Sequence, residues 1–212
     1  AYTLAKGIGY PMFLVLAKKL CLPYSVLLAL LQAVGSWLFV RALSVRWKNP
    51  YGQTLLYLLL LFSPISLTQL VTQRLYRMAI VPGMVLVVFS GMIGLTLRKE
   101  LPLKMQLPWA VLTGVALAFF WQIREDSVWI LPFIAVITVW NVGYVILALH
   151  KKRTGRQLLL QCLMLLLPIL LLFGGNMTIS AINQVHYGVF LTNDRTEGNF
   201  AELMSLLYHL QG

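Results

Sequence analysis

Charge is what this sequence has least of. Only 11% of its 212 residues are charged, and just six of them are acidic against seventeen lysines and arginines. A soluble domain carries roughly a quarter of its residues as charges, so a chain this poor in charge is built for lipid rather than water. The two cysteines, Cys21 and Cys162, lie far apart with no metal-ligand spacing and read as small hydrophobes without redox information. His150, His186 and His209 are scattered, which leaves no zinc motif. There is no phosphate-cradling glycine loop, no Ser/His/Asp arrangement, and no ionisable relay in the middle of an apolar run such as ion-coupled transporters carry.

What is present is apolar length. Hydrophobic residues make up 59% of the chain and the mean hydropathy is +0.81. A bilayer core about 30 Å thick takes roughly 20 helical residues to cross. By that ruler six runs span it, approximately Tyr24 to Ser44, Thr54 to Thr72, Ala79 to Leu97, Pro108 to Ile123, Val128 to Leu149 and Gln157 to Gly175. They lack the two-residue alternation of barrel strands, and unpaired backbone is intolerable in lipid, so they read as helices. The expected fold is an all-α polytopic transmembrane bundle of about six helices plus interfacial helices. Pro23 and Pro108 fall where a first helical turn tolerates them, while Pro64, Pro82, Pro132 and Pro168 predict kinks inside spans.

Three segments follow: 1–23 as an extracytoplasmic segment with an interfacial helix, 24–175 as the transmembrane core, and 176–212 as an extracytoplasmic tail. The orientation comes from loop lysines and arginines. Arg41, Arg46, Lys48, Arg98, Lys99, Lys104, Lys151, Lys152, Arg153 and Arg156 fall in one set of loops, and only Arg74, Arg77, Arg124 and Arg195 in the other. Ten against four puts the first set in the cytoplasm. The basic residues sit in clusters between apolar runs rather than along one face, so the net charge of +11 speaks for topology and against nucleic acid. Pro11 to Leu22 is too short and too charged to span and should lie in the outer interface. Asn199 to Leu210 reads as a second surface helix, with Asn199 and Glu202 as its capping box. The tripeptide Asn176-Met177-Thr178 matches a glycosylation acceptor but abuts a span. The start at Ala1, without a methionine or a signal-like region, reads as a cut through a longer protein.

Chemistry is sought on the outer side. The fourth run has about 16 residues, or about 24 Å of helix, so the turn after it should hold Arg124, Glu125 and Asp126 near membrane depth, where charges mark substrate paths. The competing reading is a turn snorkelling to the headgroups, with Arg124 paired locally. Arg74 and Arg77, three apart on one helix face, suit phosphate oxygens, or bind anionic headgroups as any basic helix end does. Lys6, followed by Gly7, Gly9 and Pro11, is a cation on a glycine-bearing loop.

These residues resemble a family. Leu4-Ala5-Lys6-Gly7-Ile8-Gly9-Tyr10-Pro11-Met12-Phe13-Leu14, Arg74-Leu75-Tyr76-Arg77 with Pro82, and Arg124-Glu125-Asp126-Ser127-Val128-Trp129 look like bacterial membrane proteins of the C-type glycosyltransferase superfamily. The resemblance implies a core of seven helices of which this chain carries six, with a catalytic aspartate on the outer loop after the missing first helix, upstream of Ala1. It implies transfer of a sugar from a polyprenyl-phosphate carrier to an extracytoplasmic glycan or lipid acceptor, in the bacterial cytoplasmic membrane. Arg124, Arg74, Arg77 and Lys6 are then candidates to stabilise the leaving phosphate. Glu125 and Asp126 could hold acceptor hydroxyls, orient Arg124 or bind a divalent metal; no cofactor is otherwise implied. The alternatives are a transporter or flippase for an anionic lipid-linked substrate, which broken helices at the midplane would favour, and a membrane subunit without activity.

Overall fold

The computed structural model describes residues 7–64, 76–124, 127–149 and 154–192, with Leu203 and Leu206. Among them there are helices and no strands: α1 (Gly9–Lys19), α2 (Tyr24–Leu43), α3 (Pro50–Leu61), α4 (Val81–Leu97), α5 (Leu103–Trp121), α6 (Leu131–Leu149) and α7 (Gly155–Tyr187). Five helical stretches, Tyr24–Leu43, Arg77–Leu97, Leu103–Trp121, Ser127–Ala148 and Gly155–Tyr187, are long and apolar enough to cross a membrane. Large hydrophobics such as Val136, Val139, Trp140 and Leu147 on α6 stand outward and exposed, a surface that only lipid covers without cost. The chain is an all-α integral membrane protein.

Local chemistry sets the helix ends. Asn49 caps α3, its Oδ1 accepting the amides of Tyr51 at 3.1 Å and Gly52 at 3.4 Å, with Pro50 in the first turn. Thr154 and Gln157 form a capping box on α7. At the end of α1 the amide of Leu22 reaches Ala17 O and that of Cys21 reaches Lys18 O. This is a Schellman turn in which Cys21, at φ 52°, takes the left-handed place usually given to glycine.

Several expected boundaries move. Helix α5 starts at Leu103 behind Pro102, so Pro108 lies inside it rather than at its first turn. Its 19 residues make about 28 Å, and the short span inferred for Arg124 does not exist. Pro82 and Pro132 do not kink mid-span. Each is the second residue of its α-helix, behind a one-turn 3-10 helix at Arg77–Ile80 and Ser127–Ile130, where a missing amide costs nothing. Helix α7 continues past Gly175 to Tyr187, with Pro168 inside it, and ends on Gly188 at φ 74°. The acceptor-like Asn176 and the supposedly isolated His186 are therefore helical. The expected span from Thr54 to Thr72 is described only through α3 and Pro64, and α3 alone, 12 residues long, covers about 18 Å. Of the expected surface helix from Asn199 to Leu210, only Leu203 and Leu206 are described, and both are helical.

Helix α4 is the hub of the bundle, carrying nine buried residues from Gly83 to Leu95. It packs on α2 and α5, α5 packs on α7, and α6 leans mainly on α7. Small residues set these contacts: the Ser90 hydroxyl reaches Gly35 O, and a Cβ on Gly94 would lie 2.1 Å from the Trp109 ring. The bundle has two distinguishable ends. Arg98 bonds Ala42 O at one, and Arg124 meets Met78 at the other. Leu43 and Arg77 thus stand at opposite ends.

Candidate functional site

At the Arg124 end α1 is pinned by backbone. Gln122 is the cap residue at the end of α5, so its carbonyl is one of the acceptors a helix end leaves without an internal partner. The amide of Gly9, the first residue of α1, fills it at 2.9 Å. The two chains touch so closely that a Cβ on Gly7 would sit 2.2 Å from Gln122 O, and one on Gly9 2.8 Å from the Gln122 carbonyl carbon. Behind this contact Gly9, Phe13 and Ala17, four residues apart, form the buried face of α1. Phe13 meets the Tyr24 ring edge-on at 6.0 Å, and Tyr24 donates its hydroxyl to Tyr76 O at 3.0 Å. Helix α1 therefore joins the start of α2 to the end of α5.

Of the sequence-predicted cations, Arg77 and Arg124 are described at this end. The guanidinium of Arg124 donates from Nη1 to Met78 Sδ, 46 positions away in the chain, and Met78 directly follows Arg77. Both arginines are half-buried. What holds Arg124 is the turn, not a short helix: the Ser127 hydroxyl reaches Arg124 O at 2.9 Å and Phe120 O at 3.3 Å. Ile123 beside it is buried. Gln122 donates to Asn176 Oδ1 at 2.8 Å, which ties the turn to α7. Lys6, Arg74, Glu125 and Asp126 lie outside the described residues, although Lys6 directly precedes the docked Gly7. At the same end of the bundle an open groove of about 500 Å³ runs between α1 and Phe119 of α5. Its walls are the apolar Ile8, Pro11, Met12, Val15 and Leu16, with Lys19 the charged residue among them.

The opposite end carries a polar layer that sequence reasoning missed. Arg98 is buried and donates to Ala42 O at 3.2 Å, Gly94 O at 3.1 Å and Arg41 O at 3.0 Å. Its guanidinium also lies 4.4 Å from the centre of the Trp109 ring. A loop arginine of the topology count is thus the clasp between the end of α2 and α4, with Trp109 against its guanidinium. Burial first, and the charge on Arg41 second, pull its pKa below the ordinary arginine value. Lys99 reaches Asn141 Oδ1 at 3.3 Å and stands 3.9 Å over the Tyr144 ring. Gln161 donates to Gln106 Oε1 at 2.9 Å and to Lys99 O. Gln106 donates to Leu101 O at 2.7 Å, and both glutamines are fully buried. The available signal was two glutamines near the starts of apolar runs and an asparagine inside one, where a lone amide demands a partner.

Among the described residues no three His, Cys, Asp or Glu side chains gather as a metal site, and the two acids weighed for a divalent metal lie outside them. Comparison with known proteins finds no matching family model, no matching curated protein and no matching solved structure.

Proposed function

We propose that this chain is part of a membrane glycosyltransferase of the C type that takes a sugar from a polyprenyl-phosphate carrier and passes it to an extracytoplasmic acceptor. The observation that carries the reading is the contact of Arg124 with Met78, the residue after Arg77, at the end of the bundle where the Gly7–Gly9 segment docks and an apolar groove opens. Phosphate leaving a sugar needs fixed cations, and a prenyl chain needs an apolar channel reached from lipid. The base that activates the acceptor hydroxyl is not offered by the described residues at this end. Their one carboxylate, Glu100, stands at the opposite end, where it accepts the Tyr144 hydroxyl.

Arg124→Ala is expected to weaken carrier binding by roughly ten- to a hundredfold, the worth of a charge-assisted contact of about 1.5–3 kcal/mol. Arg124→Lys restores part of it, because an ammonium keeps the charge and loses the planar fork. Titration of a polyprenyl-phosphate sugar into nanodisc-held protein, with folding checked by thermal melting, reads both. A folded Arg124→Ala that binds within about twofold of wild type sinks the assignment. The orientation is tested separately: cysteines at positions 46 and 104 should be shielded from impermeant label in intact cells, and cysteines at 76, where Tyr76 stands exposed, and at the adjoining 77 should react. The inverse pattern would remove the outer-leaflet carrier with the topology.

One observation favours the second reading, a flippase or transporter of an anionic lipid-linked substrate. Helix α3 stops at Leu61, and Pro64, which cannot supply the amide that Leu60 O would accept, is helical again. Gln32, in the middle of α2, donates to Leu60 O at 2.7 Å. A helix interrupted between the two ends of the bundle is a device that transporters use. Carrier movement between leaflets without sugar transfer would decide for it.

A further inference from the structure

The loop count uses Arg41 only as a topological marker, yet its side chain faces a cleft of about 350 Å³ between α2 and α3. Trp37, Tyr57, Ser44, Gln53 and Thr54 also line it, with Ser44 and Gln53 toward the facing ends of α2 and α3 and Trp37 and Tyr57 about one to two turns further from those ends. Trp37 is 57% exposed. Gln53 spends one amide hydrogen on Trp47 O and keeps the second. No acidic residue lines the cleft. Its neighbourhood is instead crowded with positive charge, since Arg98 donates to the backbone carbonyl of Arg41 itself and feels that residue's charge. Positive charge gathered at this end of α2, next to low-dielectric lipid, favours an anion between the cleft walls.

We propose that this cleft binds the phosphate of an anionic phospholipid, with Arg41 as its counter-charge, the second Gln53 amide hydrogen as a further donor, and an acyl chain laid along Trp37. Arginine suits the task because its fork matches two phosphate oxygens at once. Basic pockets between membrane helices hold such headgroups by this chemistry. The helix geometry favours a lipid over a free anion: Trp37 lies one turn below Arg41 on α2, so the cleft descends from the charge toward the hydrocarbon core. The site is at the end of the bundle remote from Arg124 and does not depend on the glycosyltransferase reading.

The test uses the full chain in phosphatidylcholine nanodiscs doped with dibrominated phosphatidylglycerol or, in parallel, dibrominated phosphatidylcholine. Bromine quenches nearby tryptophan, and subtracting the signal of Trp37→Phe isolates Trp37. Phosphatidylglycerol should quench Trp37 at a several-fold lower mole fraction than phosphatidylcholine. Arg41→Ala should weaken that preference about tenfold, and Arg41→Lys should recover part of it. Thr54→Phe, which fills the cleft and leaves every charge in place, should abolish the preference as well. Inorganic phosphate should fail to displace the lipid at equal concentration. Equal quenching by the two lipids in the wild type overturns the proposal and needs no variant to fold. So does a preference that survives Arg41→Ala within about twofold, or displacement by inorganic phosphate, which would make the cleft a site for the free ion.

Discussion

Arg98→Ala is expected to cost about 3–5 kcal/mol of stability, which makes it the most damaging of the single substitutions proposed for this chain. Ala42 O and Gly94 O lose the donor that reaches them, and a buried acceptor left without one costs about 1–3 kcal/mol. Arg41 O keeps the Ser44 hydroxyl at 2.9 Å and suffers less. The contact with Trp109 adds about 0.5–2 kcal/mol. The positive charge near the end of α2, which complements that helix's dipole, goes with it. Arg98→Lys keeps the charge but cannot fork between two helices, so it should recover less than half of the loss. Thermal melting and denaturant titration in one detergent measure both variants. If Arg98→Ala melts with the wild type, water has replaced the guanidinium and the clasp is not structural.

Gly9→Ala should release α1 from the bundle end and leave the rest of the bundle folded. The methyl carbon would stand 2.8–2.9 Å from backbone atoms of Gln122 and Ile123. Backbone cannot swing aside as a side chain does, so the two chains must separate, at about 3 kcal/mol as a strained overpacking. Amide exchange at position 9, protected by its bond to Gln122 O, should then speed up roughly a hundredfold. On the proposed function the carrier affinity falls with it, because the apolar groove has α1 as one wall. The melting point should move little, since the α2–α4–α5–α7 packing is untouched. Gly174→Ala, where an added Cβ meets nothing within 4 Å, is the control and should be silent in both measurements. Unchanged exchange in Gly9→Ala would mean that side chains such as Phe13, rather than the backbone contact, hold α1 in place.

Much of this was legible in the residues and some was misread. Among the described residues, length and hydropathy located the five helices long and apolar enough to cross a membrane, because crossing lipid imposes both on the chain itself. Helix starts were read too late where polar residues lead in. Asn49-Pro50 is a capping signal in plain view, and Lys104 with Gln106 looked like loop because a charge and an amide usually mean water. In α5 they belong to the first turns, and Gln106 is buried because Leu101 O and Gln161 satisfy it. The prolines were misread for a related reason. A proline marks a kink or a first turn depending on where the helix begins, and the 3-10 turns before Val81 and Leu131 leave no hydrophobic signature.

The sequence by itself determined that the chain is helical and lives in a bilayer, and it named Arg77 and Arg124 as residues to watch, since these follow from local composition and spacing. Which residues meet was decided only by the tertiary structure. Gly7 and Gly9 against Gln122, Arg124 against Met78, and Arg98 across the end of α2 are pairings between segments 46 to more than a hundred positions apart. They depend on the order in which helices surround α4, and in lipid that order is set by close contact of small side chains and by satisfied polar atoms. Neither leaves a period in the chain, because a glycine that admits a neighbour and a glycine that merely turns are the same letter.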